Sequence, residues 1–241
     1  MVSRGMLLGV SAICCLMAIV TTVNVWSDRD RRLAAAHQHA ESLARVLDEQ
    51  TGAMILGTDL ALLGIAESLR RPEVNREHDP NYENWLRRLL ANLPGVRALF
   101  VIGPDGFIIQ DSDQDTPRAN LSDRDYFQAH RSTSDRGLFI GRPLVSRSVG
   151  TWFLGLSRPV NTVEGAFGGV AAAALELSYL ERLYRETRLG PDDVIPLVNP
   201  EGALIARMPA ADDRVGKPLM SGQSGLVQAL ARRLERSKPI A

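Results

Sequence analysis

The 241-residue sequence predicts an α+β protein: an N-terminal transmembrane helix and a long stalk helix, then an antiparallel sheet module and an incomplete second module. Three observations carry this. Met6–Val25 is an uncharged apolar run. Asp28–Leu69 holds no proline and repeats apolar residues at helical spacing. Val96–Leu177 breaks into short β-rich runs punctuated by Gly, Pro and Asp.

Bulk composition narrows the function classes. Lys plus Arg and Asp plus Glu stand at 28 each, so no net field draws the chain to nucleic acid. The only cysteines, Cys14 and Cys15, are adjacent within the first apolar run, which leaves no disulfide framework and no thiolate metal site. His37, His39, His78 and His130 read as solvated or helix-surface residues. No metal and no cofactor is implied. GxSxG, HExxH and P-loop patterns are missing, so the chain is not expected to be an enzyme.

The run from Met6 covers ~30 Å as a helix, enough to span a bilayer. It ends at Thr21-Thr22-Val23-Asn24-Val25-Trp26, which offers no small-x-small cleavage site, and Trp26 suits the interface belt. Residues 1–27 therefore read as an uncleaved signal anchor with a cytoplasmic N-terminus. Arg4 on one side and Arg29, Arg31 and Arg32 on the other leave the charge rule close to balanced.

Residues 28–71 read as the stalk, a rod of ~60 Å. Its expected apolar stripe is Leu33, Ala36, Ala40, Leu43 and Leu47, then Met54, Leu60, Leu63, Ala66 and Leu69. Gly52, Gly57 and Gly64 call for tertiary support or a dimer partner. Arg70-Arg71-Pro72 ends it. A shorter helix, Asn81–Leu93, follows. Val96–Ile102 and Phe107–Gln110 flank Gly103-Pro104-Asp105-Gly106 as a hairpin. Ser122 is the expected N-cap of a helix Asp123–Arg131, and strands are expected at Gly137–Ile140, Thr151–Pro159 and Gly168–Leu175.

The segments DRDYFQAHR, GLFIGRPL, TWFLGLSRPV and GGVAAAAL, in the order transmembrane helix, long helix, sheet module, second module, resemble the PAS-like Cache sensor module of bacterial transmembrane receptors. Such receptors include chemoreceptors, sensor histidine kinases and diguanylate cyclases. The resemblance implies a membrane-distal Cache module at 72–177 and a membrane-proximal one at 178–241. The hairpin LFVIGPDGFII against PLVNPEGALIA supports that doubling. The second module lacks three expected strands and the diguanylate cyclase signature GGDEF is missing, so the chain is expected to be truncated before an output domain. A helix Ser224–Arg236 is expected near its end.

In amino-acid-sensing members of that family an Arg-x-Trp-Tyr element contacts the ligand carboxylate, and a Thr-x-Pro-Tyr-x-Asp element holds its amine. Arg124-Asp125-Tyr126-Phe127 matches the first pattern with tyrosine for tryptophan; Arg124 offers a forked donor and Tyr126 an aromatic wall. The second aligns with Gly141-Arg142-Pro143-Leu144-Val145-Ser146, where Leu144 replaces the tyrosine and Ser146 the aspartate. Candidate ligand-binding residues are Arg124, Tyr126, Arg142, Ser146 and Trp152, the last also a core candidate. The resemblance implies a small polar ligand, a carboxylate or amino-acid-like metabolite, with the sensor domain periplasmic on the bacterial inner membrane and paired as a homodimer through the long helix. The alternatives are a membrane-tethered scaffold that senses nothing, and the remnant of an enzyme whose catalytic half lies outside this chain.

Overall fold

The computed structural model describes residues 4–70, 79–113, 119–133, 137–186, 194–198 and 204–208. Two compact units divide the chain, Met1–Gln50 and Thr51–Ala241. The described residues of the first are helix alone. Helix α1 runs unbroken over Arg4–Leu69, so the apolar run and the proline-free stretch form one element. It is, among the described residues, the one helix long and apolar enough to cross a membrane.

Helix α2, Pro80–Leu90, begins where Asp79 accepts a hydrogen bond from the Asn81 amide and Pro80 takes a position whose missing N–H costs nothing. The strands are β1 (Val96–Ile102), β2 (Ile108–Asp111), β3 (Phe139–Val145), β4 (Trp152–Asn161) and β5 (Phe167–Glu176). Helix α3 (Asp125–Ser132) lies between β2 and β3, and helix α4 (Leu177–Arg185) follows β5. One antiparallel sheet results, in the order β2-β1-β5-β4-β3. The last strand of the module therefore lies at its centre, which no loop length in the sequence announces. A second hairpin pairs β6 (Ile195–Val198) with β7 (Leu204–Met208), as the internal repeat predicts. The expected helix Ser224–Arg236 and His78 lie outside the described residues.

Both faces of the five-stranded sheet are covered. On one, Leu62, Ile65 and Leu69 of α1, Leu86 of α2 and Leu180 of α4 pack on Leu99, Val101, Leu156, Ala173 and Leu175. On the other, Tyr126 and Phe127 of α3 pack with Phe100, Ile102, Phe153, Ala172 and Ala174. Covering on two sides explains why β5 reads as an unbroken apolar run and not as an alternation.

The buried stripe of α1 differs from the expected one. It keeps the expected Met54, Ala66 and Leu69 and adds Thr51, Thr58, Ala61, Leu62 and Ile65, while Leu60 and Leu63 stand exposed at 59% and 39%. The threonines are buried because their hydroxyls are satisfied: Thr58 donates to the Met54 carbonyl at 2.9 Å, and Thr51 shares a hydrogen bond with the Tyr184 hydroxyl at 3.4 Å. Hydropathy alone selects the leucines.

Two further expectations are corrected. Ser122 does not cap α3: its amide and hydroxyl donate to Asn120 Oδ1, and the helix opens at Asp125 with Arg124 in the cap position. His130 is not a surface residue but fully buried, its Nε2 2.9 Å from Ser157 Oγ and its ring edge-on to Phe139. A buried polar partner on β4 makes that burial tolerable.

Candidate functional site

Small residues open a hollow on the α3 side of the sheet. Ala98, Ala174 and Gly155 lie in one row across β1, β5 and β4, so the sheet floor there carries almost no side-chain bulk. The Tyr126 ring stands on Gly155, where a Cβ would meet its Cδ1 at 2.6 Å. Over Ala98 and Ala174 the space stays open as a cavity of about 270 Å³. Phe100 and Phe153 furnish aromatic walls, Ile108, Ala119 and Leu121 an apolar side, and Arg97, Asp111, Arg124, Ser146, Arg147 and Ser148 the polar groups. A mostly apolar hollow with a few convergent polar groups is the arrangement of a small-molecule site.

The cations differ in how they are occupied. Arg97 on β1 forms ion pairs with Glu176 at 3.1 Å and Asp113 at 3.6 Å and donates to Ser146 Oγ at 3.5 Å. Arg147 pairs with both oxygens of Asp123 and donates to the Asn120 carbonyl. That pairing, led by the hydrogen bond, holds the Asp123 carboxyl below its usual range and the Arg147 guanidinium above its own. Arg124 has no carboxylate partner within ion-pair distance among the described residues. Its Nη2 reaches the Val145 carbonyl at 3.4 Å, and its buried Nε has no hydrogen-bond partner there. It is the cation poised to take a ligand anion.

Tyr126 is 1% exposed. Burial, the largest cause, pushes its phenol well above the usual range, with the nearby Arg124 acting in the opposite sense. It enters the site as a neutral hydroxyl and a wall, edge-on to Phe100 at 6.4 Å between centroids. Asp125 plays a supporting role: Oδ1 accepts from the Tyr126 amide at 2.8 Å and Oδ2 from the Arg142 amide at 2.9 Å, which ties α3 to β3.

The structure brings together three of the five residues expected from the sequence. Arg124, Tyr126 and Ser146 line the cavity. Arg142 does not: its side chain is exposed, and its backbone amide donates to Asp125 Oδ2. Along β3 the buried positions are Gly141 and Pro143, so alternation turns Arg142 outward. Trp152 packs with the cluster on the opposite sheet face, and Phe153 beside it lines the cavity in its place. Sequence reasoning passed over Arg97, Asp111 and Arg147. Arg97 did carry a signal, a lone charge within the apolar run VRALFVI; Asp111 and Arg147 lie outside the strands and helices expected from the sequence.

No protein-family model matches the chain, and no curated protein matches it in sequence. Among solved structures, the extracellular domain of rpHK1S-Z16, designated a histidine kinase, is 30% identical, with a TM-score of 0.68 over 85% of this chain and 81% of that one. The chain belongs to the Cache-type family of extracytoplasmic sensor domains. Two more distant Cache-type structures share the fold. The ligand-binding domain of the Pseudomonas aeruginosa PAO1 amino acid chemoreceptor PctC, solved with GABA, is 19% identical with a TM-score of 0.57 over 74% of this chain and 78% of that one. That of the Pseudomonas fluorescens chemoreceptor CtaA, solved with L-serine, is 16% identical with a TM-score of 0.56 over 73% and 72%. The Cache-type assignment agrees with the α+β order of long helix, sheet and helices described above.

Proposed function

We propose that the chain is the ligand-sensing part of a signalling receptor, anchored in the inner membrane by a single span at residues 6–25 with the sheet module outside the cytoplasm. The observation that carries the reading is Arg124, a guanidinium in a cavity of about 270 Å³ with a buried Nε and no carboxylate partner among the described residues. Arg124 takes the carboxylate of a small metabolite, Tyr126 and Phe153 enclose its body, and Ser146 offers a hydroxyl. The relatives solved with GABA and L-serine support a small ligand that carries a carboxylate. The histidine kinase relative favours a kinase output over the diguanylate cyclase that the sequence equally suggests.

Residues 28–71 serve as the stalk, 72–177 as the membrane-distal module and 178–241 as part of the proximal one. Leu56, Leu60 and Leu63 are exposed at 59%, 59% and 39% and recur at helical spacing. That stripe supports pairing with a second copy through α1. Ligand binding would then act by shifting how the two helices pack.

Calorimetric titration of the full chain in detergent micelles with a panel of small carboxylates and amino carboxylates tests the site. A ligand should appear that binds the native chain and loses about tenfold or more in affinity with Arg124→Ala. An unchanged affinity in that variant would sink the reading.

A further inference from the structure

We infer that Asp111 receives a cationic group of the ligand, so that the ligand is an amino carboxylate whose two charges lie apart along the molecule. The inference rests on the placement of the ligand carboxylate at Arg124 proposed above. Asp111 closes β2, lines the cavity and is 8% exposed. One of its oxygens, Oδ1, accepts from the Asp113 amide at 2.9 Å. The other, Oδ2, has no hydrogen-bond partner among the described residues. Facing the hollow, that oxygen is open to a donor, and a cation there would offset the cost of burying the carboxylate.

Among the described residues, the cation at this end is already engaged. Arg97 faces Asp111, Asp113 and Glu176, ion-paired to the last two. Among the described residues, three carboxylates face one guanidinium here, a balance that suits positive charge and not an anion. The other end has the opposite character, because among the described residues Arg124 meets a carbonyl and no carboxylate.

Fold topology keeps the two ends apart. Asp111 belongs to β2 and the Arg124 guanidinium sits against Val145 of β3, and these are the two edges of the five-stranded sheet. Four inter-strand steps of ~4.8 Å separate the edges; the side chains reach inward from them, and Arg97 lies between the two ends, 3.5 Å from Ser146 Oγ. The charges that bear on Asp111 are Asp113, Arg97 and Glu83, while those that bear on Tyr126 are Arg124, Asp125, Arg147 and Asp123. Two distinct electrostatic neighbourhoods favour an amine several bonds from the carboxylate over one on the adjoining carbon.

The experiment is calorimetric titration of the full chain in detergent micelles with β-alanine, GABA, δ-aminovalerate, valerate and L-valine. At least one of the three chain-terminal amino carboxylates should bind about tenfold or more tightly than both valerate and L-valine. Asp111→Asn, which keeps the acceptor for the Asp113 amide and removes a buried charge, should fold and bring that affinity down to the valerate level. Several results would overturn the inference while leaving Arg124 as the carboxylate site. These are valerate binding as well as its amino derivative, L-valine binding most tightly, none of the three binding while valerate does, and Asp111→Asn leaving the amine preference intact. Binding of the whole series untouched by Arg124→Ala would instead remove the reading on which the inference rests.

Discussion

Arg158 on β4 clamps Asp59 on α1 through two parallel hydrogen bonds, Nε to Oδ1 and Nη2 to Oδ2 at 2.9 Å. The side chains are 23% and 17% exposed, so the pair is largely withdrawn from solvent. The Asp59 hydrogen bond is the main cause that raises the Arg158 guanidinium above its usual range. The contact fixes the last turns of the long helix to the middle of the sheet. Arg158→Ala should destabilise the fold by roughly 1–3 kcal/mol, because it leaves Asp59 part-buried without a counter-charge. The double variant with Asp59→Ala should lose less than the sum of the single losses. Denaturant unfolding of the four proteins measures this, and additive losses would show that the clamp is energetically idle.

Asp111 sets a pH dependence. Burial, opposed by the Asp113 amide hydrogen bond and by Arg97 and reinforced by Asp113 and Glu83, raises its carboxyl from 3.8 to about 6. Between those values the folded chain holds more protons than the unfolded one, so this group's contribution to stability falls as pH rises from about 4 and levels off above about 6. The upper bound on the loss is about 3 kcal/mol. Asp111→Asn should flatten the slope and be the more stable protein at pH 8. A wild-type stability profile that the substitution leaves unchanged across this range would contradict the argument.

Gly155 admits the Tyr126 ring. A methyl group at that position would stand 2.6 Å from Tyr126 Cδ1, closer than van der Waals contact allows. Gly155→Ala should displace the ring toward the cavity, cost about 1–3 kcal/mol and weaken ligand affinity. Thermal melts and the same titration series check both effects. Stability and affinity equal to the native values would mean that the ring yields at no cost.

Ser157 serves two groups at once. Its Oγ lies 2.9 Å from His130 Nε2 and 3.3 Å from the Tyr126 carbonyl, both beneath α3. Ser157→Ala should cost about 1–3 kcal/mol by stripping buried polar groups of a partner, whereas Ser157→Thr should retain most of that stability. Urea unfolding midpoints distinguish the two. Equal losses from both substitutions would point to space and not hydrogen bonding.

Much of this protein is legible from the chain alone. The apolar run and the proline-free stretch specify a long helix because local hydrogen bonding and spacing suffice for one. Gly103-Pro104-Asp105-Gly106 specifies the β1–β2 hairpin because turn chemistry is local. Arg124 and Tyr126 are legible because Arg124-Asp125-Tyr126-Phe127 matches a short contiguous pattern, and both line the cavity. Three things were settled by the tertiary structure. Strand order placed β5 between β1 and β4, and pairing of distant strands leaves no mark on either sequence. The facing of Arg142 and Trp152 depended on register, and a sheet covered on both sides hides the alternation that would have shown it. The polar set of the cavity gathers Arg97, Asp111, Ser146 and Arg147 from separate segments around Ala98 and Ala174. A cavity is where side chains are small, and only packing reveals which small residues face the same space.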